Sequence, residues 1–266
     1  MTNEIYDLAI IGAGVMGLSA AFIATSNRPR DILVIFERNI VGAGASRFAR
    51  GIQINICRNE RERQLINLSS KFWQAIYPHG LWPVGRDCDV FWLTRNPKEL
   101  ARLGSVGGTT PSTSSALKQR LSSLPHFFVP SDTAVELDRG SYSPIDRIVQ
   151  DLAKRLMAAG VSLYERTSIE RIRHGSNNIL LQTSDNTEHL ARRAVLAIGP
   201  WLPDSPLLAH LIDAPRLRVK KVVAFHLAAR PTPKCPMIGL FDDYAFLIPM
   251  IEAGYWLFSF TSQHGM

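Results

Sequence analysis

Three glycines and one glutamate near the start of the chain have the spacing of a nucleotide-binding site. Gly12, Gly14 and Gly17 form a G-x-G-x-x-G pattern, and Glu37 follows about twenty residues later. The first glycine permits a sharp turn, the second lets the backbone approach a pyrophosphate, and the third allows a helix to pack closely on a sheet. The acidic side chain accepts hydrogen bonds from a ribose and repels a 2′-phosphate. The pattern predicts a site for an adenosine diphosphate group.

The elements that must position these residues follow from the surrounding sequence. An apolar run over residues 5–11 predicts a strand, the small residues after the turn predict a helix, and residues 32–36 predict a second strand that ends at Glu37. Ala13 and Met16 lie in the turn, where the unpaired N–H groups of the helix N-terminus would face the phosphates. A glycine turn without a ligand is the alternative, which this order of elements disfavours.

The composition of the chain is that of an ordinary globular protein. Of its 266 residues, 46% are hydrophobic and 20% are charged, which predicts roughly two domains. The net charge of +7 comes from basic residues that are dispersed along the sequence rather than gathered in one run. This dispersed charge argues against a nucleic-acid partner. An anionic cofactor or substrate would account for part of the positive charge.

The sequence also bears on compartment and metal binding. The apolar residues 8–24 lack the basic start of a signal peptide, and no apolar stretch is long enough to cross a bilayer. Cys57, Cys88 and Cys235 are odd in number and lack C-x-x-C spacing, which argues against a disulfide framework or a zinc site. We therefore expect a cytoplasmic protein without a bound metal.

A second stretch of small residues, from Val41 to Ile52, replaces the helix and strand that would continue a nicotinamide-type Rossmann domain. It is suited to lie against a flat or phosphorylated ligand, and a flexible surface loop is the alternative. Further helices and strands are predicted after this stretch. The helices cover residues 58–76 and 145–159, and the strands cover residues 89–94, 161–164, 167–173, 179–183, 191–198, 218–227 and 244–260. The apolar positions of the first of these helices are expected to be core: Leu65, Leu68, Phe72, Trp73 and Ile76.

Three separated stretches agree with one protein family. They are residues 7–17, residues 44–47 and residues 195–201. Together they resemble the FAD-dependent D-amino-acid oxidase family, the group that contains glycine oxidase and sarcosine oxidase. Residues 140–167 also resemble the family's pattern of a proline-led helix followed by a glycine and a strand. The resemblance covers most of the chain.

The resemblance implies an α/β fold, with a Rossmann-like FAD-binding domain and a second, mixed α+β substrate domain. Residues 1–85 and 142–213 are expected in the FAD-binding domain, and residues 86–141 and 214–266 in the substrate domain. On this resemblance we expect the chain to lack the C-terminal end of the family fold, including its final flavin-contacting segment and its carboxylate-binding arginine. We therefore expect the strand from Tyr255 to Phe260 to present an unpaired edge or an uncovered face.

The resemblance also implies where a cofactor would bind. FAD is expected to be noncovalent, because no histidine stands in residues 44–51, where some relatives attach flavin. Ile169 is expected near the adenine, and Tyr244 on the substrate side, with a core tyrosine as the alternative. The expected cofactor-binding residues are Gly12, Ala13, Gly14, Met16, Gly17, Glu37, Arg38, Ser46, Arg47, Ile169, Ala197, Gly199 and Trp201.

The activity that the resemblance implies is that of an FAD-dependent amine or amino-acid oxidase or dehydrogenase. Such an enzyme oxidises the C–N bond of a small amino acid or N-substituted glycine by hydride transfer to the flavin, which oxygen or another acceptor reoxidises. Two alternatives stay open: a 2-hydroxy-acid or polyol-phosphate dehydrogenase, and a non-catalytic flavoprotein subunit that needs a partner chain. A nicotinamide reductase would need a second glycine fingerprint, and residues 104–108 do not follow a clear strand.

Overall fold

The computed structural model describes residues 5–57, 59–77, 86–103, 109–121, 123–124, 126–201, 207, 219 and 221–261. Within these residues the chain has the expected α/β fold. Residues 104–108 and the C-terminal residues 262–266 lie outside the described residues. None of the described helices is long and apolar enough to span a membrane.

The α-helices of the described residues all lie before residue 160, whereas strands occur along the whole chain. The helices are α1 (Val15–Asn27), α2 (Ala45–Phe48), α3 (Glu60–Ile76), α4 (Pro97–Leu103), α5 (Ser114–Arg120) and α6 (Ile145–Ala158). The strands are β1 (Ile5–Tyr6), β2 (Leu8–Ile11), β3 (Leu33–Phe36), β4 (Gln53–Ile54), β5 (Arg86–Thr94), β6 (Thr110–Ser112), β7 (Ala134–Tyr142), β8 (Ser162–Tyr164), β9 (Ile169–His174), β10 (Ile179–Thr183), β11 (Glu188–Ala191), β12 (Ala194–Leu196), β13 (Val222–Leu227), β14 (Met237–Leu240), β15 (Ala245–Met250) and β16 (Tyr255–Thr261). The strand predicted over residues 191–198 is shorter in the structure, where it is β12, and Ala191 ends the separate strand β11.

The chain divides into two compact units. The first contains Met1–Arg50 and Pro144–Val219, and the second contains Gly51–Ser143 and Lys220–Met266. The first boundary falls earlier than the expected position after residue 85. The reason is local pairing, since β4 is hydrogen-bonded to β7 of the second unit.

A parallel sheet with the order β12-β2-β3-β8 forms the centre of the first unit. Its two central strands, β2 and β3, are continuous apolar runs, as expected for parallel strands that are covered on both faces. A second sheet, with the order β1-β11-β10-β9, packs against it through a shared core. The members of that core include Tyr6, Ile11, Val34, Phe36, Ile169, Leu181 and Ala191. This arrangement fixes the carboxyl ends of β2, β3 and β12 at one edge of the parallel sheet.

The second unit is built on a sheet with the order β13-β16-β15-β14-β5-β7-β4, to which β6 adds by pairing with β7. Its pairs are antiparallel except for β14 with β5. Side chains alternate between the two faces of a strand, so Phe91 and Leu93 belong to one apolar cluster while Val90 and Trp92 belong to another. Each face of this sheet therefore has its own core.

Helix α3 is less buried than its apolar spacing predicts. Trp73 and Ile76 near its C-terminus are buried, as expected, but Leu65 and Leu68 are 55% and 62% exposed. The expectation that they are core residues is wrong. Apolar spacing identifies one face of a helix but does not say how far along its length other elements cover that face.

The position of β16 also differs from expectation. It is hydrogen-bonded to β13 on one side and to β15 on the other, so the expected unpaired edge at Tyr255 to Phe260 is wrong. Trp256 and Leu257 are buried, and the other residues of β16 are half-buried. The end of the strand order is β13 instead, where Val222 and Phe225 are exposed.

Candidate functional site

The glycine turn joins β2 to α1 at the carboxyl edge of the parallel sheet. Gly12 has φ +109°, in the left-handed region, and a Cβ atom there would overlap the carbonyl oxygen of Ala197. A Cβ atom on Gly17 would overlap the carbonyl oxygen of Gly12. The fold itself therefore requires glycine at positions 12 and 17.

Gly14 differs from the other two glycines. Its backbone is extended, with φ −78°, and the nearest atom to an added Cβ would be Ser46 Oγ at 3.1 Å. A small side chain is thus compatible with the local backbone. A larger side chain at Gly14 would fill the space beside the turn. The sequence pattern assigns this space to a pyrophosphate.

Ser46 serves as the cap for the N-terminus of α1. Gly14, at the N-cap position, has no side chain to offer, and Ser46 Oγ accepts a hydrogen bond of 3.0 Å from the N–H of Val15. The buried hydroxyl keeps a proton without a partner among the described residues. Ser46 can therefore hold the helix end and donate to a phosphate at the same time.

Glu37 is fixed at the end of β3 by main-chain donors. Its Oε2 accepts from the N–H of Ala13 at 2.8 Å, and its Oε1 accepts from the N–H of Asn39 at 2.9 Å. Because each carboxylate oxygen has two lone pairs, both oxygens can still accept a ribose hydroxyl. Ala13 is itself fully buried, so its part is to orient Glu37 through its N–H group.

A cavity of about 750 Å³ opens at this edge of the sheet. It is lined by the segments that follow β2, β3 and β12, by the second glycine stretch and by the start of β9. Its volume lies in the range of small-molecule and cofactor sites. The expected residues that line it are Gly12, Gly14, Met16, Glu37, Arg38, Ser46, Ile169, Ala197, Gly199 and Trp201. The sequence pattern and the cavity therefore identify the same region.

Other expected residues lie elsewhere. Ala13 and Gly17 are packed behind the turn and do not line the cavity. Arg47 lines a separate cavity of about 460 Å³ between the segment around Gly42 and α6. Sequence interpretation in turn missed Asn39 and Thr167, which do line the larger cavity. Each follows the carboxyl end of a parallel strand, β3 or β8, and that position is the signal that could have found them.

Trp201 connects two parts of the cavity rim. Its ring lies so close to Gly44 that an added Cβ would be 2.8 Å from ring atom Cζ3. The guanidinium carbon of Arg38 lies over the ring, 4.1 Å from its centroid. Trp201 is 41% exposed and follows Gly199, whose φ of +66° turns the chain toward the cavity.

Tyr244 belongs to the second unit, in the turn between β14 and β15. It has φ +49°, and 79% of its surface is exposed. The alternative of a core tyrosine is therefore wrong. Among the described residues no partner of its hydroxyl is found, which leaves that group open to a ligand.

Comparison with known families settles the class of the protein. The model of the DAO family, described as FAD dependent oxidoreductase, matches residues 7–264. The chain belongs to this family. A curated relative of the chain is the glycine oxidase of Geobacillus kaustophilus (strain HTA426), which is 26% identical in an alignment of 241 residues that covers 76% of this chain. The chain spans 56% of the length of that relative.

Solved structures show the same fold. The glycine oxidase structure from Geobacillus kaustophilus has a TM-score of 0.74 at 21% identity and covers 99% of this chain and 74% of its own. L-proline dehydrogenase from P. horikoshii has a TM-score of 0.76 at 15% identity and covers 96% of this chain and 69% of its own. These likenesses show that the chain has a Rossmann-like fold with mixed sheets.

FAD, the cofactor of this family, fits the residues that the structure brings together. Adding Cβ atoms would block the turn at Gly12 and Gly17, and the hydroxyl proton of Ser46 is unpaired among the described residues. Helix α1, all of whose residues are described, has no acidic residue in its own first turn, and the Glu37 carboxylate accepts from the N–H of Ala13, just before that helix. The donor groups are those that a pyrophosphate requires.

Proposed function

We propose that this FAD-dependent oxidoreductase oxidises the C–N bond of a small amino acid or N-substituted glycine. The observation that carries the cofactor part is the intact cradle of the turn, Ser46 and Glu37 around one cavity. The similarity to glycine oxidase supports an amine substrate. When bound, FAD supplies the two-electron acceptor for the reaction, and oxygen or another acceptor restores it.

In this proposal the first unit holds FAD without a covalent bond. Glu37 accepts the adenosine ribose hydroxyls, Ser46 donates to a phosphate, and Ile169 lies beside the adenine. The described residues that line the cavity include no histidine or cysteine, the side chains that attach flavins covalently in some relatives. The backbone at Gly14 gives the close approach that a pyrophosphate needs.

The second unit, in this proposal, carries the substrate-binding residues. Tyr244 is the candidate on the substrate side, because its hydroxyl is exposed and its turn backbone is constrained. It would orient the substrate by a hydrogen bond, and orientation together with exclusion of water is the main contribution that a protein makes to this chemistry. No acid or base of the protein is required for the step. We also propose a cytoplasmic location, since Cys88 and Cys235 are unpaired thiols in the described structure.

The experiment that tests the proposal is anaerobic reduction of the FAD-loaded protein. Glycine, sarcosine and a larger amino acid are added in separate cuvettes, and glycolate and glycerol 3-phosphate serve as the alcohol arm. We expect loss of the oxidised flavin absorption with an amine. Loss only with an alcohol would assign the protein to the 2-hydroxy-acid or polyol-phosphate dehydrogenases. A protein that takes up no FAD would contradict the proposed site itself.

A further inference from the structure

The contact between Arg38 and Trp201 has a particular position in the parallel sheet. Arg38 lies just after the carboxyl end of β3, and Trp201 follows the carboxyl end of β12. In the sheet order β12-β2-β3, strand β2 lies between them and ends at the glycine turn. Since neighbouring strands are about 4.8 Å apart, the two side chains together span roughly 10 Å across the end of β2. The Trp201 ring packs against Gly44, two residues before the Ser46 hydroxyl that accepts from the N–H of Val15, so the contact lies beside the glycine turn.

In this contact the Trp201 ring is held in place by its neighbours, and the Arg38 guanidinium is available to bind an anion. Trp201 is held against Gly44, and a backbone with φ +66° at Gly199 directs it toward the rim. No ion pair of Arg38 is found among the described residues, and its neighbour Glu37 accepts from main-chain N–H groups. The guanidinium therefore has no carboxylate beside it at the rim of the cavity that we propose for FAD.

We propose that Arg38 and Trp201 form a strap over the middle of the bound dinucleotide and slow its release. The proposal rests on the proposed position of FAD in the cavity. The ring holds the guanidinium in place beside the turn, so that the pyrophosphate meets a pre-positioned charge rather than a mobile side chain. FAD leaves only after the contact between the guanidinium and the ring has opened. Both residues are positioning residues and take no part in the chemistry.

The test is a double-mutant cycle on the rate of FAD release. Arg38→Met and Trp201→Leu are made singly and together, and released flavin is followed by its fluorescence. A cation–ring contact at an exposed site is worth about a two- to fivefold change in rate, so each single variant should release FAD faster by at least that factor. The second substitution should then add little to the first. Additive effects would overturn the strap.

Matched variants separate the strap from general loss of charge or aromatic surface. Arg30→Met removes an exposed arginine near the other end of β3, and Phe48→Leu removes an exposed aromatic ring that does not line the cavity. Neither should change the release rate. Trp201→Phe and Arg38→Lys keep a ring and a charge, so they should retain most of the coupling; their failure to do so would also contradict the proposal. Circular dichroism checks that each variant is folded.

Binding of ADP and AMP separates the strap from the function proposed above. Because the strap crosses the pyrophosphate position, Arg38→Met should weaken ADP more than AMP in calorimetric titrations. A wild-type protein that binds neither FAD nor ADP would overturn the cofactor site and the strap together. A wild-type protein that binds both, with independent effects of the two substitutions, would overturn the strap alone.

Discussion

In the proposed site, Glu37 serves the fold and the ligand with the same carboxylate. Its two oxygens are oriented by N–H groups of Ala13 and Asn39, one on each side of the strand end. These hydrogen bonds form without a ligand, so the remaining lone pairs of the carboxylate are already oriented for the proposed ribose hydroxyls. A residue held in this way needs no reordering when FAD binds, which lowers the entropic cost of binding.

Replacing Glu37 by glutamine tests this dual role. The amide nitrogen cannot accept a hydrogen bond, so one of the two N–H groups loses its partner. We expect FAD affinity to fall by about 1–3 kcal/mol, the range for hydrogen bonds to charged groups. The measurement is calorimetric titration with FAD. Glu170→Gln is the control, because Glu170 lines the same cavity without contacting the turn in the described structure. Equal losses in both variants would count against the assignment.

Tyr244 gives a second prediction at the residue scale. Tyr244→Phe removes only the hydroxyl and leaves the exposed ring and the left-handed turn as they are. We expect a changed kcat or KM for the amine substrate, with flavin content and melting temperature unchanged. A parallel loss of flavin and activity would instead make Tyr244 a structural residue.

At the scale of elements, the junction of β2, α1 and α2 concentrates the constraints. The same turn must leave β2, avoid Ala197 and present a helix end whose cap comes from another helix. Positions 12 and 17 serve the packing, whereas we propose that position 14 serves the ligand. The two purposes can be separated by substitution.

The contrast between Gly12→Ala and Gly14→Ala makes that separation measurable. Alanine at position 12 meets both an unfavourable φ and the backbone of Ala197, so we expect a large loss of stability without cofactor. Alanine at position 14 has an allowed backbone and one close neighbour, Ser46. It should keep the melting temperature of the cofactor-free protein and weaken FAD binding. Gly14→Val should abolish binding by steric exclusion, and normal FAD binding by that variant would remove the turn from the site.

Ser46 supplies the prediction for the helix end. Ser46→Ala leaves the N–H of Val15 without its partner, and loss of an N-cap costs about 1 kcal/mol of stability. We expect that loss in urea unfolding of the cofactor-free protein, together with weaker FAD binding. Ser46→Thr keeps a hydroxyl and should restore most of the stability. If alanine and threonine behaved alike, the hydrogen bond would have no part in stability.

At the scale of the whole molecule, the two sheets of the first unit meet around an aromatic cluster that contains a histidine. The ring of His189 lies 4.9 Å from that of Phe36 and 5.9 Å from that of Tyr164, measured between centroids. Burial lowers the pKa of His189, and the charge of Asp185 opposes this shift only in part. The neutral form is therefore the one that the folded protein favours.

The histidine makes stability depend on pH. Because the folded protein binds the proton less well than the unfolded chain, whose histidines titrate near 6.5, the free energy of unfolding should decrease as pH falls below about 6.5. Urea unfolding between pH 5 and pH 8 measures the slope. His189→Phe should reduce it, whereas His174→Phe, at an exposed position on β9, should not. An unchanged slope in His189→Phe would show that other groups set the dependence.

The parts of the molecule that sequence could predict are those with a local physical cause. At Gly12 and at Glu37 there is a physical reason for the residue type, and their spacing predicted both the turn and the region of the cavity. The cap from Ser46 to Val15 joins residues far apart in sequence, so no local pattern contains it. The exposure of Leu65 depends on which elements reach α3, and the edge at β13 depends on the pairing order of strands. The turn at Tyr244 lacks the glycine that usually marks a left-handed position.

The packing of Gly12 against Ala197 also bears on the order of events during synthesis. Strand β2 has β3 as one neighbour, but its other neighbour, β12, and the backbone that abuts the turn come from much later in the chain. While the ribosome is still making the intervening residues, the glycine turn has emerged without β12 and without the backbone of Ala197 that packs against it. Domains fold as units when their parts are available. We therefore expect the nascent chain to acquire flavin late, after residues 194–201 have emerged, and to expose one side of β2 to chaperones until then.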